Sequence, residues 1–493
     1  MSTTVGLADR IFLLQESDHT PQHVAVLGTF SPPADAAPDY LPALVASLRA
    51  ARTFAPPFNY RLRNPALKAV APSFVELDDD QVDLDFHFRH SAVPNPGGER
   101  ELGALVSRLH GAPLDMSKPL WEAHLIEGLE GNRFGFYFKV HHALIDGVGG
   151  ARRLQQMLST DPADDELRPL WTTVPSRSPR RRGGRSLPAR IGGVAGGVWG
   201  HTRAAAGLGR AAGGLFKDSI LPVDEAIAAP YRAPGTILNG PIGQHRRIAT
   251  HAIEFDRVRA VADRADVTVN DVFLAICAGG LRRYLHEQDS LPDSGLTAGT
   301  PISVRVGSGD DAANAFTMTT MKLYTQIADP IECLAAIHRS SSRTKRSMQR
   351  FSKPVAENFG ALFMTPFLAG HLVGLGGRAR PPFNLILSNV PGPLEPRYLA
   401  GARLESMYPL GLGYHGMRLF IAALTVSGTM SIGFVGDRDT LPHLERLAAY
   451  TGAAFDELEE ALASRGRRSD RRRPGQTRRQ QGRQRRLDAL KPA

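Results

Sequence analysis

The reading of this chain turns on residues 136–147, Phe136-Tyr137-Phe138-Lys139-Val140-His141-His142-Ala143-Leu144-Ile145-Asp146-Gly147. The aromatic and β-branched run from Arg133 to Val140 predicts a strand. A strand ending at Val140 delivers two histidines to its end, where Gly147, Gly149 and Gly150 predict a glycine-rich turn that exposes them. An imidazole with an unperturbed pKa of about 6.5 is the side chain best matched to take a proton from an alcohol near neutral pH. On this reading His142 is the general base, His141 shapes the site, and Asp146 fixes the turn or biases the imidazole tautomer. A histidine pair by itself more often caps a strand or helps to hold a metal. The pattern HHxxxDG, however, arises by chance in well under about one in a hundred chains of this length.

Outward from this segment the pattern is α/β. Strands are expected at Val24 to Phe30, Phe383 to Ser388, Leu419 to Ser427 and Thr429 to Val435, and helices at Leu41 to Leu48, Asn270 to Leu285 and Leu441 to Leu462. A chain of 493 residues is too long for one core. We expect an N-terminal domain over 1–175, a linker over 176–217 rich in Arg, Gly, Ala and Pro, a C-terminal domain over 218–464, and a disordered Arg-rich tail over 465–493. Within the linker, Ile191, Val194, Val198 and Trp199 make a weak amphipathic pattern suited to a membrane surface. Phe359 to Gly377 has no charged residue, but Pro366, His371 and five glycines argue for a buried or tunnel-lining segment rather than a membrane span.

Eleven arginines and Lys491 against Asp470 and Asp488 give the segment from Arg465 onward a formal charge of +10, which is that of the whole chain. The body is therefore near neutral and the basic character belongs to a tail. No aromatic residue follows Phe455, which removes the stacking expected of a specific nucleic-acid partner. Two uses of the tail remain open: contact with an anionic membrane surface, or simple solubilisation. Cys277 and Cys333, the two cysteines, stand in apolar helical stretches and suggest neither a disulfide framework nor a structural zinc site. The N-terminus lacks the basic-then-apolar design of a secretion signal, and a reducing cytoplasm is expected.

The segment HHALIDG resembles the HHxxxDG motif of CoA-dependent acyltransferases, shared by chloramphenicol acetyltransferase-like and condensation domains. Pro119-Leu120-Trp121-Glu122 and Asn270-Asp271 are similar to the PLW and ND motifs of the bacterial wax ester synthase/diacylglycerol acyltransferases. The opening ADRIFLLQESDHTPQHV at 8–24, Pro301-Ile302-Ser303-Val304-Arg305 and Ser388-Asn389-Val390-Pro391-Gly392-Pro393 also look like segments of that family. Taken alone, Trp121 reads as a buried core aromatic and Asn270-Asp271 as a helix N-cap.

The resemblance implies an α/β, two-domain chloramphenicol acetyltransferase-like fold with the site in a tunnel between the domains. It implies acyl-CoA as a substrate, diacylglycerol or a long-chain alcohol as acceptor, no resident cofactor and no metal. The implied catalytic set is His142, His141, Asp146 and Asn270, the last as oxyanion donor; the implied substrate-binding set is Gly147, Leu120, Trp121, Asp271, Ser388 and Asn389. The expected location is cytoplasmic, peripheral on the inner face of the membrane or on lipid droplets. Rival readings are a condensation-type acyltransferase using a carrier-protein thioester and a catalytically silent lipid-surface adaptor.

Overall fold

The computed structural model describes residues 2–5, 7–68, 72–145, 147–174, 230–306, 313–349, 364–371 and 374–472. Its first part runs β1 (Ser2–Thr4), α1 (Leu7–Gln15), β2 (His23–Ser31), α2 (Tyr40–Ala50), β3 (Tyr60–Leu62), β4 (Ser73–Glu76), α3 (Leu84–His87), β5 (Phe88–Ala92), α4 (Glu99–Gly111), β6 (Trp121–Leu129), β7 (Arg133–His141) and α5 (Gly147–Met157). The second runs β8 (Arg246–Glu254), α6 (Phe255–Ala265), α7 (Val269–Glu287), β9 (Thr297–Val306), β10 (Ala313–Lys322), α8 (Pro330–Gln349), helix α9 (364–371), β11 (Leu385–Pro391), β12 (Tyr398–Leu399), β13 (Ala402–Leu410), β14 (Leu419–Val426), β15 (Thr429–Asp437) and α10 (Leu444–Arg472). The expected α/β class is what the chain adopts.

Two six-stranded sheets organise these elements, in the orders β12-β13-β2-β7-β6-β5 and β10-β9-β11-β14-β15-β8, beside a small sheet β1-β4-β3. The late strand β13 pairs antiparallel with β2, from Arg403 opposite Ser31 to Leu410 opposite Ala25. A boundary between 1–175 and 218–464 therefore divides the sequence but not the sheets.

β7 lies inside the first sheet between β2 and β6, and both its faces are covered, which is why FYFKV has no polar-apolar alternation. Phe134, Phe136, Phe138 and Val140 join Leu44, Val45 and Leu48 of α2 in one core. Tyr137 faces Leu102 and Val106 of α4 in another.

In the second layer α7 is buried over most of its circumference, from Val272 to Leu285. Its Gly280 meets α10 so closely that an added Cβ would lie 2.4 Å from Thr451 Oγ1 and 2.9 Å from the Thr451 nitrogen. This contact accounts for a mid-helix glycine, which otherwise costs about 1 kcal/mol against alanine.

Three expectations change or pass out of reach. Gly147, Gly149 and Gly150 open α5 rather than form a turn, because the helix buries Met157 against the first core. α10 continues beyond the expected end at Leu462 to Arg472, since arginine sustains a helix and no proline intervenes before Pro474. The linker 176–217 and residues 473–493 of the tail lie outside the described residues, as do 350–363 and 372–373 within or beside the apolar segment 359–377. Among the described residues no helix is long and apolar enough to cross a membrane.

Candidate active site

The end of β7 treats its two histidines differently. The His141 N–H donates to the Leu120 carbonyl (2.9 Å) and the ring is fully buried. The Ala143 N–H donates to His141 Nδ1 (3.1 Å), so that nitrogen is the acceptor and the ring proton sits on Nε2. His141 Nε2 stands 3.4 Å from Glu16 Oε2, a close approach that falls short of hydrogen-bond alignment. His142 is only half-buried, and its ring stacks on Phe12 with centroids 4.0 Å apart and planes 19° apart.

The segment from α1 to β2 acts as a strap across both. Glu16 is buried and accepts a short hydrogen bond from the Gln22 N–H, while the Gln22 carbonyl accepts from the His142 N–H (2.8 Å). From the second sheet, Arg246 donates to the His19 carbonyl (2.5 Å) and so anchors the strap. This clamp was not foreseen: Glu16, Gln22 and Phe12 stand inside the quoted 8–24 stretch, and no local pattern marks them.

Behind the histidines runs a buried polar seam. Lys139, fully buried, stands 3.1 Å from Glu122 and donates to the carbonyls of Leu109 and Ala112 (both 3.0 Å), placing a cation where the α4 dipole is negative. Burial pushes the Glu122 carboxyl up, but His124, Lys139 and Arg89 outweigh it and bring it down to about 2. Burial drives the Lys139 ammonium the other way, below its ordinary value, against the pull of Glu122. The pair stays charged in our reading because Lys139 keeps three oxygen partners. His110 donates Nε2–H to the Gly411 carbonyl (2.8 Å) and faces the Tyr137 hydroxyl at 3.1 Å; burial draws its pKa down to about 3.

The other expected site residues divide. Leu120 is brought against the histidines through its main chain, but its side chain and that of Trp121 are fully buried. Trp121 donates Nε1–H to the Phe58 carbonyl (2.8 Å) and lies between His87 (4.5 Å) and Trp171 (5.4 Å), both stacked. Both side chains are packed into the core in this structure. Asp271 is also fully buried and accepts from Thr268, His338 (2.8 Å) and Ser341 (2.5 Å). Burial raises its pKa, but these bonds win and hold it below the ordinary carboxylate value. Asn270 is half-buried on the first turn of α7, and Ser388 and Asn389 are half-buried on β11. Asp146 lies outside the described residues, and of Gly147 only its place at the head of α5 is described.

Two six-stranded sheets, the first completed by a strand from the C-terminal half, with a histidine pair delivered to the end of an inner strand and the second of the pair half-buried, define a two-domain acyltransferase of the chloramphenicol acetyltransferase-like kind. The same fold is found in the trichothecene 15-O-acetyltransferase of Fusarium sporotrichioides, with a TM-score of 0.54 at 13% identity over 94% of this chain and 95% of that one. The wax ester synthase/diacylglycerol acyltransferase catalytic domain matches residues 6–273 and the WS/DGAT C-terminal domain residues 312–459, and the chain belongs to that family. It is 33% identical to the wax ester synthase/diacylglycerol acyltransferase of Marinobacter aquaeolei, whose structure superposes with a TM-score of 0.76 over 94% of this chain and 100% of that one. A Mycobacterium tuberculosis protein carrying the provisional name of a diacylglycerol O-acyltransferase is 40% identical over 94% of this chain and 98% of its own length.

Proposed function

We propose that the chain transfers a long-chain acyl group from acyl-CoA to the hydroxyl of diacylglycerol, giving triacylglycerol, and accepts a long-chain alcohol as a second acceptor, giving wax ester. The observation that carries the reading is the contrast between a buried, clamped His141 and a half-exposed His142 whose main chain is held by the same strap. His142 takes the acceptor's hydroxyl proton as its oxygen attacks the thioester carbonyl; the C–S bond then breaks and the proton passes to the departing CoA sulfur. Asn270 is the proposed donor to the oxyanion.

An apolar cleft lined by Leu154, Leu158, Gly392, Pro393, Leu424 and Val426 is the proposed path for an acyl chain. Its free volume of about 20 Å³ has room for roughly one water, so a chain must part these walls to enter. The proposed location is cytoplasmic, peripheral on the inner membrane face or a lipid droplet, with the Arg-rich tail as the contact. The relatives' names support the acceptors.

The test is CoA release from palmitoyl-CoA by wild type and folded His142→Ala, with diacylglycerol and hexadecanol offered separately. Loss of at least about a hundredfold in kcat is expected, and the lipid formed names the acceptor. Equal turnover by both proteins overturns the mechanism.

A further inference from the structure

The apolar cleft that takes an acyl chain in the reading above has a single charged wall. Of the described residues lining it, only Arg397 carries a charge. Its side chain is 16% exposed, and its Nη2 lies 3.4 Å from the exposed Glu395 carboxylate. The Arg397 Nε–H, by contrast, is sealed from solvent and has no acceptor among the described residues. Buried donors are seldom left in that state, because nothing offsets the hydration they lose. The main chain around it is fixed. The Arg397 carbonyl accepts from the Leu404 N–H (2.8 Å), and Tyr398 and Ser159 exchange two main-chain hydrogen bonds of 2.9 Å.

Strand register places Arg397 at the opposite end of the first sheet from the histidines. Leu404, its main-chain partner, stands opposite Phe30, whereas His141 stands opposite His23 at the other end of β2. The seven residues from His23 to Phe30 extend about 24 Å. Helix α5 starts five residues beyond His142 and rises about 15 Å to Met157, two residues short of Ser159. An extended hexadecanoyl chain, built from carbon–carbon bonds of about 1.5 Å, spans about 19 Å. Arg397 thus stands roughly one long acyl chain away from the proposed base.

We propose that Arg397 closes the far end of the acyl path and sets the upper length of the transferred chain, at about sixteen to eighteen carbons. The assignment rests on the acyl-CoA reading above and deepens it by naming the class of donor. A chain of that length lies along Leu154, Leu158, Leu424 and Val426 and stops at the guanidinium. Further methylenes must push the side chain off Glu395, or crowd a buried N–H with a methyl group that offers it no acceptor. Shorter chains leave the last walls unfilled, and each methylene not buried weakens binding about fourfold.

Full-length wild type, Arg397→Ala and Arg397→Lys are compared for kcat/KM with dodecanoyl-, hexadecanoyl- and eicosanoyl-CoA, with dioleoylglycerol as acceptor. The same donors are titrated by calorimetry without acceptor, and a thermal melt verifies that each variant is folded. Wild type is expected to favour the hexadecanoyl over the eicosanoyl donor by at least about tenfold. Arg397→Ala should raise the eicosanoyl-to-hexadecanoyl ratio by at least about tenfold, in turnover and in binding alike. It should leave the dodecanoyl value as in wild type, since that chain ends short of the guanidinium. Arg397→Lys, which keeps a cation of similar reach, should stay close to the wild-type profile. An unchanged length profile in folded, active Arg397→Ala overturns the assignment, and so does a uniform fall with all three donors, which marks a structural role. A wild type that binds the donors with this length profile, loses it in Arg397→Ala and yet releases no CoA leaves the path standing and removes the transfer reading.

Discussion

Glu16→Gln removes one charge and almost no volume, so it isolates what the strap carboxylate does. Glu16 Oε2 accepts the Gln22 N–H and lies 3.4 Å from His141 Nε2, whose proton faces it because Nδ1 is occupied by the Ala143 N–H. Both donors face the same oxygen, so a glutamine whose amide oxygen takes the place of Oε2 still meets them, but as a neutral acceptor instead of a charged one. Hydrogen bonds to a charged group contribute about 1.5–3 kcal/mol against about 0.5–1.5 for neutral ones, so the substitution forfeits about 1–2 kcal/mol. Because the Gln22 carbonyl holds the His142 main chain, the loss falls on the placement of the base. Carried wholly into the transition state, it slows kcat by roughly 5- to 30-fold, with KM for palmitoyl-CoA nearly constant. The assay is thiol release with palmitoyl-CoA and dioleoylglycerol, alongside a thermal melt. A kcat for Glu16→Gln equal to that of wild type, in a protein of equal melting temperature, would refute the clamp.

Other perturbations follow from the same contacts. Lys139→Met should destabilise by about 3–5 kcal/mol in urea titration because Glu122 is left buried with weaker partners, and Lys139→Met/Glu122→Leu should recover much of that loss; a double variant no better than the single contradicts the pairing. Trp121→Ala should cost about 3–5 kcal/mol by cavity formation, with activity following the folded fraction; a stable but inactive Trp121→Ala would instead point to a substrate role. Glu122, titrating at about 2 in the fold against 4.5 unperturbed, adds stability that is whole above pH 4.5 and is lost as pH falls towards 2, about 3 kcal/mol in all; Glu122→Gln should flatten acid unfolding over that window. Gly280→Ala should lose about 1–3 kcal/mol through the clash with Thr451, read as a lower melting temperature.

The strands and helices near the histidines were legible because their signals are local. The run Arg133 to Val140 became β7 almost residue for residue, and Leu41 to Leu48 became the middle of α2. The sheet order was not legible: nothing in residues 402–410 announces that they pair with 25–31, since either sheet would accept such a strand. The place of Trp121 is settled by Phe58, His87 and Trp171, which reach it from separate segments. Its plain reading as a core aromatic is what the fold shows. Asp271 was legible as a capping residue, but its bonds to His338 and Ser341 depend on α8 docking against α7. Glu16 stood in a quoted stretch unread, because a carboxylate gains meaning only when its distant partner is known.

The late strand β13 also sets a timetable for synthesis. Residues 25–31 of β2 leave the ribosome early, yet the strand that covers their open edge is encoded at 403–410. At ordinary elongation rates that interval is roughly 20–75 s, during which β2 carries an unpaired edge and β7, with its histidines, sits in an unfinished sheet. A nascent chain cut short anywhere before residue 403 therefore yields an incomplete sheet and not half an enzyme, so catalytic competence itself reports that translation has reached the far side of the molecule.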